Sequence, residues 1–391
     1  MIEYEDALQK VLQAASIKGV EQIDFEESLN RILAEDVRSD IDMPPFPKSA
    51  MDGYACRMED LRNELEVLEV IPAGRTPERK IGMNQCSKIM TGSMLPDGAD
   101  CVVMVEQTKE TENGKIIFTG EKTKSNFVPR GEDVKRNDLV IERSTLIKPQ
   151  HIAVLASVGC TLPMVYQQPR LGILSTGDEL VEPAMPPGRS QIRNSNAYQL
   201  LAQVERMRLP AKYFGIVSDD EDHSRRMIEN ALNECDVVLL TGGVSMGDFD
   251  FIPAVLGKMG IEIIFKSVAV QPGRPTVFAT NAQKYVFGLP GNPVSSFNIF
   301  ELLVKPALYK MMDYQFEALR IRLPMGTAYK RNKSRRKSYL PVKISASGEV
   351  MPVEYHGSAH VHALVFADGL ISIPIGITEL KKGEMVDVRQ I

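Results

Sequence analysis

A chain of 391 residues exceeds one compact core, and 43% hydrophobic with 25% charged residues is the composition of an ordinary folded protein of roughly two to four domains. A net charge of −5 excludes a global cationic field for nucleic acid or an anionic membrane, while leaving room for a local site that takes a small anion. No run approaches the roughly 20 apolar residues that span a bilayer, and the acidic start Met1-Ile2-Glu3-Tyr4-Glu5-Asp6 is unlike a secretory signal, so the expected address is cytoplasmic.

Tyr4, Ala7, Leu8, Val11, Leu12 and Ala15 recur at helical spacing, which predicts an amphipathic first helix over residues 2–16. A second, short helix is expected over Glu26–Ala34. The rigid Met43-Pro44-Pro45-Phe46-Pro47 then marks a domain entrance. From about 49 to 133 the chain carries short β-like runs, among them Cys101–Val105 and Lys115–Phe118, the latter after a turn at Asn113-Gly114. Residues 134–168 return to linker character, with a helix from Pro149 ended by Gly159.

In residues 169–315, apolar runs at Leu171–Leu174, Val237–Leu240 and Ile261–Phe265 alternate with helical patterns at Ala197–Met207, Ser224–Leu232 and Phe251–Lys258. This alternation predicts an α/β layer fold around a mainly parallel sheet. Strand-like segments dominate the last 75 or so residues, so a small β-barrel or sandwich is expected there. The five cysteines (Cys56, Cys86, Cys101, Cys160, Cys235) are scattered without a Cys-x-x-Cys and read as buried thiols, not as a disulfide framework or a zinc site.

Ligands of open α/β folds bind at the carboxyl ends of the strands, and three polar clusters fall there. They are Ser175-Thr176-Gly177-Asp178-Glu179-Leu180, the run from Thr241-Gly242-Gly243 through Ser245 to Asp248-Phe249-Asp250, and Gly288-Leu289-Pro290-Gly291-Asn292-Pro293-Val294-Ser295-Ser296. Gly242-Gly243 lets backbone N–H groups approach an anion, Ser245 offers a hydroxyl, and the helix beginning at Pro293 offers N–H donors and a favourable dipole. Asp178, Glu179, Asp219, Asp220, Asp248 and Asp250 add carboxylates that suit magnesium beside a phosphorylated ligand. Each cluster alone reads equally as structure: Gly-Gly as a turn, Asp219-Asp220 as a helix cap, Gly-Asn-Pro as turn chemistry. Their convergence on one edge favours a ligand site.

The basic run Lys330–Lys337 lacks interleaved aromatics and reads as a solvated loop, with Arg336 or a neighbour as an anion contact. His356, His360 and His362 lack the cysteine or carboxylate spacing of a zinc site.

In order along the chain, Pro44-Pro45-Phe46, Ser49–Ala55, Met90-Thr91-Gly92, Arg130-Gly131-Glu132-Asp133, Ser175–Leu180, Gly242–Ser245, Pro272-Gly273-Arg274-Pro275 and Gly288–Pro293 form a set. With this set the chain resembles the molybdopterin molybdenumtransferase family, the MoeA-like proteins that include the E-domain of gephyrin. The resemblance implies a multidomain α/β plus β protein and an elongated homodimer. A linker domain is split between residues 1–43 and 134–168, with an inserted β-rich domain at 44–133. A three-layer α/β/α molybdopterin-binding domain at 169–315 and a C-terminal β-barrel at 316–391 follow.

The implied reaction consumes adenylylated molybdopterin, releases AMP and inserts molybdenum from molybdate, assisted by Mg²⁺. By the same resemblance the functional acids are Asp52, Asp133, Glu179, Asp219 and Asp250, with Thr91 beside the first two. Asp219 and Asp250 would hold the metal; Gly242, Gly243 and Ser245 would take phosphate or pterin. Pro290 and Pro293 would fix loop geometry, and Ser295, Ser358 and Arg336 would approach molybdate. Implied partners are other cofactor-assembly proteins and apo-molybdoenzymes, with no nucleic acid and no membrane. Ser267 and Gln271 stand where many relatives are basic, with Lys266 and Arg274 close by, and Pro341 stands where a second arginine is expected. The alternatives are a molybdopterin adenylyltransferase, which leaves residues 1–168 and 316–391 unexplained, and a non-catalytic molybdopterin carrier or scaffold.

Overall fold

The computed structural model describes residues 1–218, 220–243 and 252–391. Helix α1 (Tyr4–Ala14) turns Ala7 and Val11, one helical turn apart, into the core and leaves Glu5 and Asp6 of its first turn in solvent. The helix expected over Glu26–Ala34 is replaced by a single 3₁₀ turn, Phe25–Glu27, whose Asp24 cap accepts the Glu26 N–H at 2.9 Å. Asn30 then adopts φ 65°, and Ile32 and Leu33 bridge to Leu146 and Val165. The spacing of Phe25, Leu29, Ile32 and Leu33 imitates a helix face, but tertiary pairing takes the last two as extended residues.

Val20–Gln22 runs antiparallel to Met164–Tyr166, and Val37–Arg38 to Leu139–Ile141. Helix α2 (Pro149–Ser157) starts on its proline and ends just before Gly159 at φ 70°. Its Leu155 packs with Leu33, Val37, Ile147 and Val165. Between these paired segments lie strands β1 (Gly53–Cys56), β2 (Glu66–Ile71), β3 (Gln85–Ile89) and β4 (Cys101–Met104), in the order β2-β3-β1-β4. A side chain at Gly53 would stand 1.9 Å from Val103 O, so only glycine lets β1 enter the sheet there. The Asn113-Gly114 turn joins Thr108–Glu110 to its antiparallel partner Ile116–Phe118.

The third segment builds strands β5 (Leu171–Thr176), β6 (Ala211–Val217), β7 (Val237–Thr241), β8 (Glu262–Phe265), β9 (Val277–Thr280) and β10 (Tyr285–Leu289). The sheet order is β6-β5-β7-β10-β9-β8. β6, β5, β7 and β10 are parallel, and β9 and β8 add an antiparallel edge. Helices α3 (Asn196–Arg206), α4 (Glu221–Glu234), α5 (Ile252–Lys258) and α6 (Pro293–Ile299) cover it. Val237 and Leu239 pack with Leu200 and Val204 of α3 and Ile299 of α6, whereas Val238 and Leu240 pack with Ile228 of α4 and Val255 of α5. Both faces of β7 are therefore covered, which is why Val237–Leu240 is an unbroken apolar run. The helix at α6 continues without a break through a π turn, Phe300–Val304, into α7 (Lys305–Lys310).

The final segment forms β11 (Arg320–Pro324), β12 (Lys337–Ile344), β13 (Val350–Pro352), β14 (Gly369–Ile373) and β15 (Met385–Gln390). The ladder runs β12-β14-β15-β11, with β13 against β12 and a bridge from Met325, just past β11, to Val350 of β13. Val270–Gln271, contributed by the α/β segment, pairs in parallel with Lys337–Ser338 of β12. Among the described residues no helix is long and apolar enough to cross a membrane.

Candidate functional site

At the carboxyl ends of β5 and β7 the backbones come unusually close. Gly242 (φ 89°) and Gly243 (φ 62°) cross the end of β5, where a Cβ on the first would lie 2.5 Å from Thr176 O and on the second 2.8 Å from Thr176 Oγ1. Gly242 N–H donates to Leu289 O at 3.1 Å, which ties this turn to β10. Asn196, the first residue of α3, donates from Nδ2 to Gly291 O at 2.7 Å and to Thr241 Oγ1 at 3.2 Å. Nothing in the local sequence singles Asn196 out, because an asparagine at a helix start is ordinary. Ser245 and Asp250 lie outside the described residues, as do Asp219 and Asp248.

Glu179 sits on the same edge. Its carboxylate folds back over Gly177 (φ 138°), and a Cβ there would be 2.3 Å from Glu179 Oε2. The Glu179 backbone is held by Ile192 N–H at 2.8 Å, within the parallel pairing of Leu180–Val181 with Ile192–Arg193. Beneath this strap, Asn194 Oδ1 accepts from Ser175 Oγ at 3.0 Å, and Asn194 Nδ2 donates to Tyr213 OH at 2.8 Å. Tyr213 in turn donates to Glu182 at 2.7 Å; burial first, then that carboxylate, pushes the phenol pKa up. Asp220 caps α4, accepting the His223 N–H at 2.6 Å, so its carboxylate serves the helix.

A cavity of about 320 Å³ opens where the α/β and C-terminal segments meet. Pro290 lines it from the β10–α6 turn, Ser295 from the first turn of α6, Gln271 and Arg274 from the stretch before β9, and Arg336 and Ser358 from the C-terminal segment. Ser358 O accepts the Val294 N–H at 3.1 Å, and Ser358 Oγ accepts from Asn292 Nδ2 at 2.9 Å. This corrects one expectation. Pro293, at the first helical position, has no N–H, and that of Val294 is spent on Ser358, so the helix start offers fewer donors than the sequence suggested. Arg336 Nη1 donates to Val270 O at 3.3 Å, and burial, followed by the charge of Arg274, lowers its pKa.

Of the remaining departures, Ser267 gives its carbonyl to Ile2 N–H and Lys266 is exposed. Pro341 is a buried β12 residue opposite Leu370 and does not line the cavity. The basic run is partly structural, since Arg331 donates to the carbonyls of Arg336, Pro374 and Ile377. His356 and His360 stack at 4.7 Å, and among the described residues no three His, Cys, Asp or Glu side chains are placed to hold a metal.

In the inserted sheet, Asp52 immediately precedes β1 and Thr91 follows β3. Asp52 Oδ1 accepts from Thr91 N–H at 2.7 Å and Thr91 Oγ1 at 2.8 Å. The backbone bond, then the hydroxyl bond, lowers the Asp52 pKa. Asp133 is exposed, and its N–H donates to Met43 O at 2.9 Å. Thr91→Val removes the hydroxyl donor and keeps the N–H. An NMR titration should therefore find the Asp52 pKa raised but still below that of a free aspartate, with Tm unchanged within about 2 °C because the pair is exposed.

Residues 2–159, 172–310 and 322–391 match, in that order, the families described as MoeA N-terminal region (domain I and II), Probable molybdopterin binding domain, and MoeA C-terminal region (domain IV). A molybdopterin molybdenumtransferase of Staphylococcus epidermidis is 36% identical over 401 residues, spanning 99% of this chain and 95% of its own. One from Staphylococcus aureus is 34% identical over 398 residues with the same coverage. The solved structure of the molybdopterin biosynthesis moeA protein from Pyrococcus horikoshii covers all of both chains at 29% identity and a TM-score of 0.86. The chain belongs to the molybdopterin molybdenumtransferase (MoeA) family.

Proposed function

We propose that this protein transfers molybdenum from molybdate into adenylylated molybdopterin with release of AMP, the closing step of molybdenum cofactor assembly. The cavity between the α/β and C-terminal segments carries this reading. It gathers Pro290, Ser295, Arg336 and Ser358 from positions up to 68 residues apart, and adds Arg274. Two guanidinium groups and two hydroxyls suit a tetrahedral oxyanion, and a partly desolvated arginine gains most from meeting one.

In this reading molybdate enters beside Arg336, Arg274, Ser295 and Ser358. Gly242 and Gly243 let the pyrophosphate approach backbone, with Ser245 in support. Pro290 and Pro293 fix the turn, and Glu179 orients the pterin or a water. Asp219 and Asp250, both outside the described residues, would hold Mg²⁺, which would neutralise charge on the pyrophosphate. Asp52, Thr91 and Asp133 belong to the inserted β-rich segment 44–133, and in a homodimer one protomer's set would complete the other's cleft.

The proposed domains are 1–43 with 134–168, 44–133, 169–315 and 316–391. The antiparallel pairings of residues 20–38 with 139–166 support the first, and the Met325–Val350 bridge supports a closed β-barrel for the last. Five free cysteines accord with a reducing, cytoplasmic setting.

The deciding experiment supplies purified protein with adenylylated molybdopterin and Mg²⁺, with and without molybdate, and follows AMP. Molybdate-dependent release, abolished by EDTA and yielding product that activates a cofactor-free molybdoenzyme, is the expected result. Tight pterin binding without release would indicate a carrier. Formation of adenylylated molybdopterin from ATP would indicate an adenylyltransferase.

A further inference from the structure

We infer that Asn196 is a positioning residue that binds the two glycine loops of the site into one surface, and so sets substrate affinity without touching the reacting atoms. The inference rests on the transferase reading. Strands β7 and β10 stay in register as far as the pair Thr241–Leu289, after which both chains leave the sheet. One becomes Gly242-Gly243 and the other Gly291-Asn292, and a Cβ on Gly291 would stand only 3.8 Å from Gly242 Cα. Glycines confer the close approach but carry no side chain to hold it.

The Asn196 amide supplies what is missing. It is 8% exposed, and Nδ2 serves Gly291 O beyond β10 and Thr241 Oγ1 at the end of β7. The side chain thus joins the two loops at the level where a pyrophosphate would lie across them.

Helix α3 provides a matched control two turns on. Gln203 is also a buried amide, 7% exposed, donating to Phe297 O and Glu301 Oε1 on the same long helix that begins at Pro293, but away from the loops. Among the described residues neither amide oxygen, both buried, has a hydrogen-bond partner. Burial and unsatisfied polarity are therefore shared, and loop bridging is what differs.

The test measures kcat and KM for adenylylated molybdopterin, with Tm, in Asn196→Ala, Asn196→Asp, Thr241→Val and Gln203→Ala. Asn196→Ala should raise KM about tenfold with kcat changed less than about threefold, the signature of lost uniform binding. Asn196→Asp, which faces Gly291 O with an anion, should raise it further. Thr241→Val removes one of the two acceptors and should give a smaller rise, which keeps the idea testable if the Asn196 variants fold poorly. Gln203→Ala should lose comparable Tm with KM unchanged. Equal KM in wild type and the Asn196 variants, or an equal rise in Gln203→Ala, would overturn the inference. A wild-type protein that releases no AMP would overturn the transferase reading instead.

Discussion

Arg336→Ala is expected to raise the KM for molybdate in AMP release about a hundredfold, a loss on the scale of a desolvated charge contact. The guanidinium is half-buried, rests on the carbonyl of Val270, and shares its cavity with Arg274. Burial has stripped the Arg336 guanidinium of part of its hydration. A dianion that meets it therefore displaces little water and is attracted through a less polar medium, and that attraction disappears in the alanine variant. Arg336→Lys keeps the charge but loses the planar fork, and should sit near tenfold. The measurement is the molybdate dependence of AMP release at fixed pterin, with Tm as a folding check. An unchanged molybdate KM in a folded Arg336→Ala protein would remove the cavity from the anion's path.

The second large effect lies at the other end of the sheet. Asp236, 5% exposed at the start of β7, accepts from Arg170 N–H at 2.9 Å and Lys18 Nζ at 2.7 Å, while its carbonyl accepts from Tyr285 N–H. It thereby joins the entrances of β5, β7 and β10 to the segment after α1. Asp236→Ala should cost about 3 kcal/mol in urea unfolding, because a backbone donor and an ammonium lose a buried partner.

Burial, the largest single influence on this carboxyl, pushes its pKa up. The Arg170 N–H and the Lys18 ammonium outweigh that and hold it below the ordinary value. The folded state therefore binds the proton less readily than the unfolded chain. The stabilisation is complete above about pH 4 and drains as pH falls through the folded pKa. Lys18→Met should move the acid-unfolding midpoint upward, since the folded pKa then climbs; an unmoved midpoint would show that Lys18 contributes little.

The doubly covered strands were plain in the sequence because burial on both faces writes an unbroken apolar run, as at Val237–Leu240. Helices α1, α2 and α3 were plain from period and caps. Residues 26–34 were not, since their apolar spacing fits a helix and only the remote partners Leu146 and Val165 make Ile32 and Leu33 extended. Glu179 and Gly242-Gly243 could be found from their place after strands. Arg336 was offered by the basic run Lys330–Lys337 as an anion contact, but not its place beside Ser295. Ser358 was pointed to by the family resemblance alone, because what brings both residues to Ser295 is the packing of one segment on another. Asn196 escaped because its two acceptors lie 45 and 95 residues away.

The strand Val270–Gln271 belongs by sequence to the α/β segment, yet its hydrogen bonds go to β12 of the last segment. Gln271 on that strand lines the cavity, and Arg336 on the other side of the pairing donates to Val270 O. The junction is thus a seam stitched by backbone and not a hinge, and sliding one segment past the other would require breaking the ladder that spaces the two guanidiniums. Cutting the protein at this junction would expose raw strand edges on both fragments. In the proposed anion site, the spacing that would select one oxyanion over another is accordingly built into main-chain register, where single side-chain substitutions reach it least.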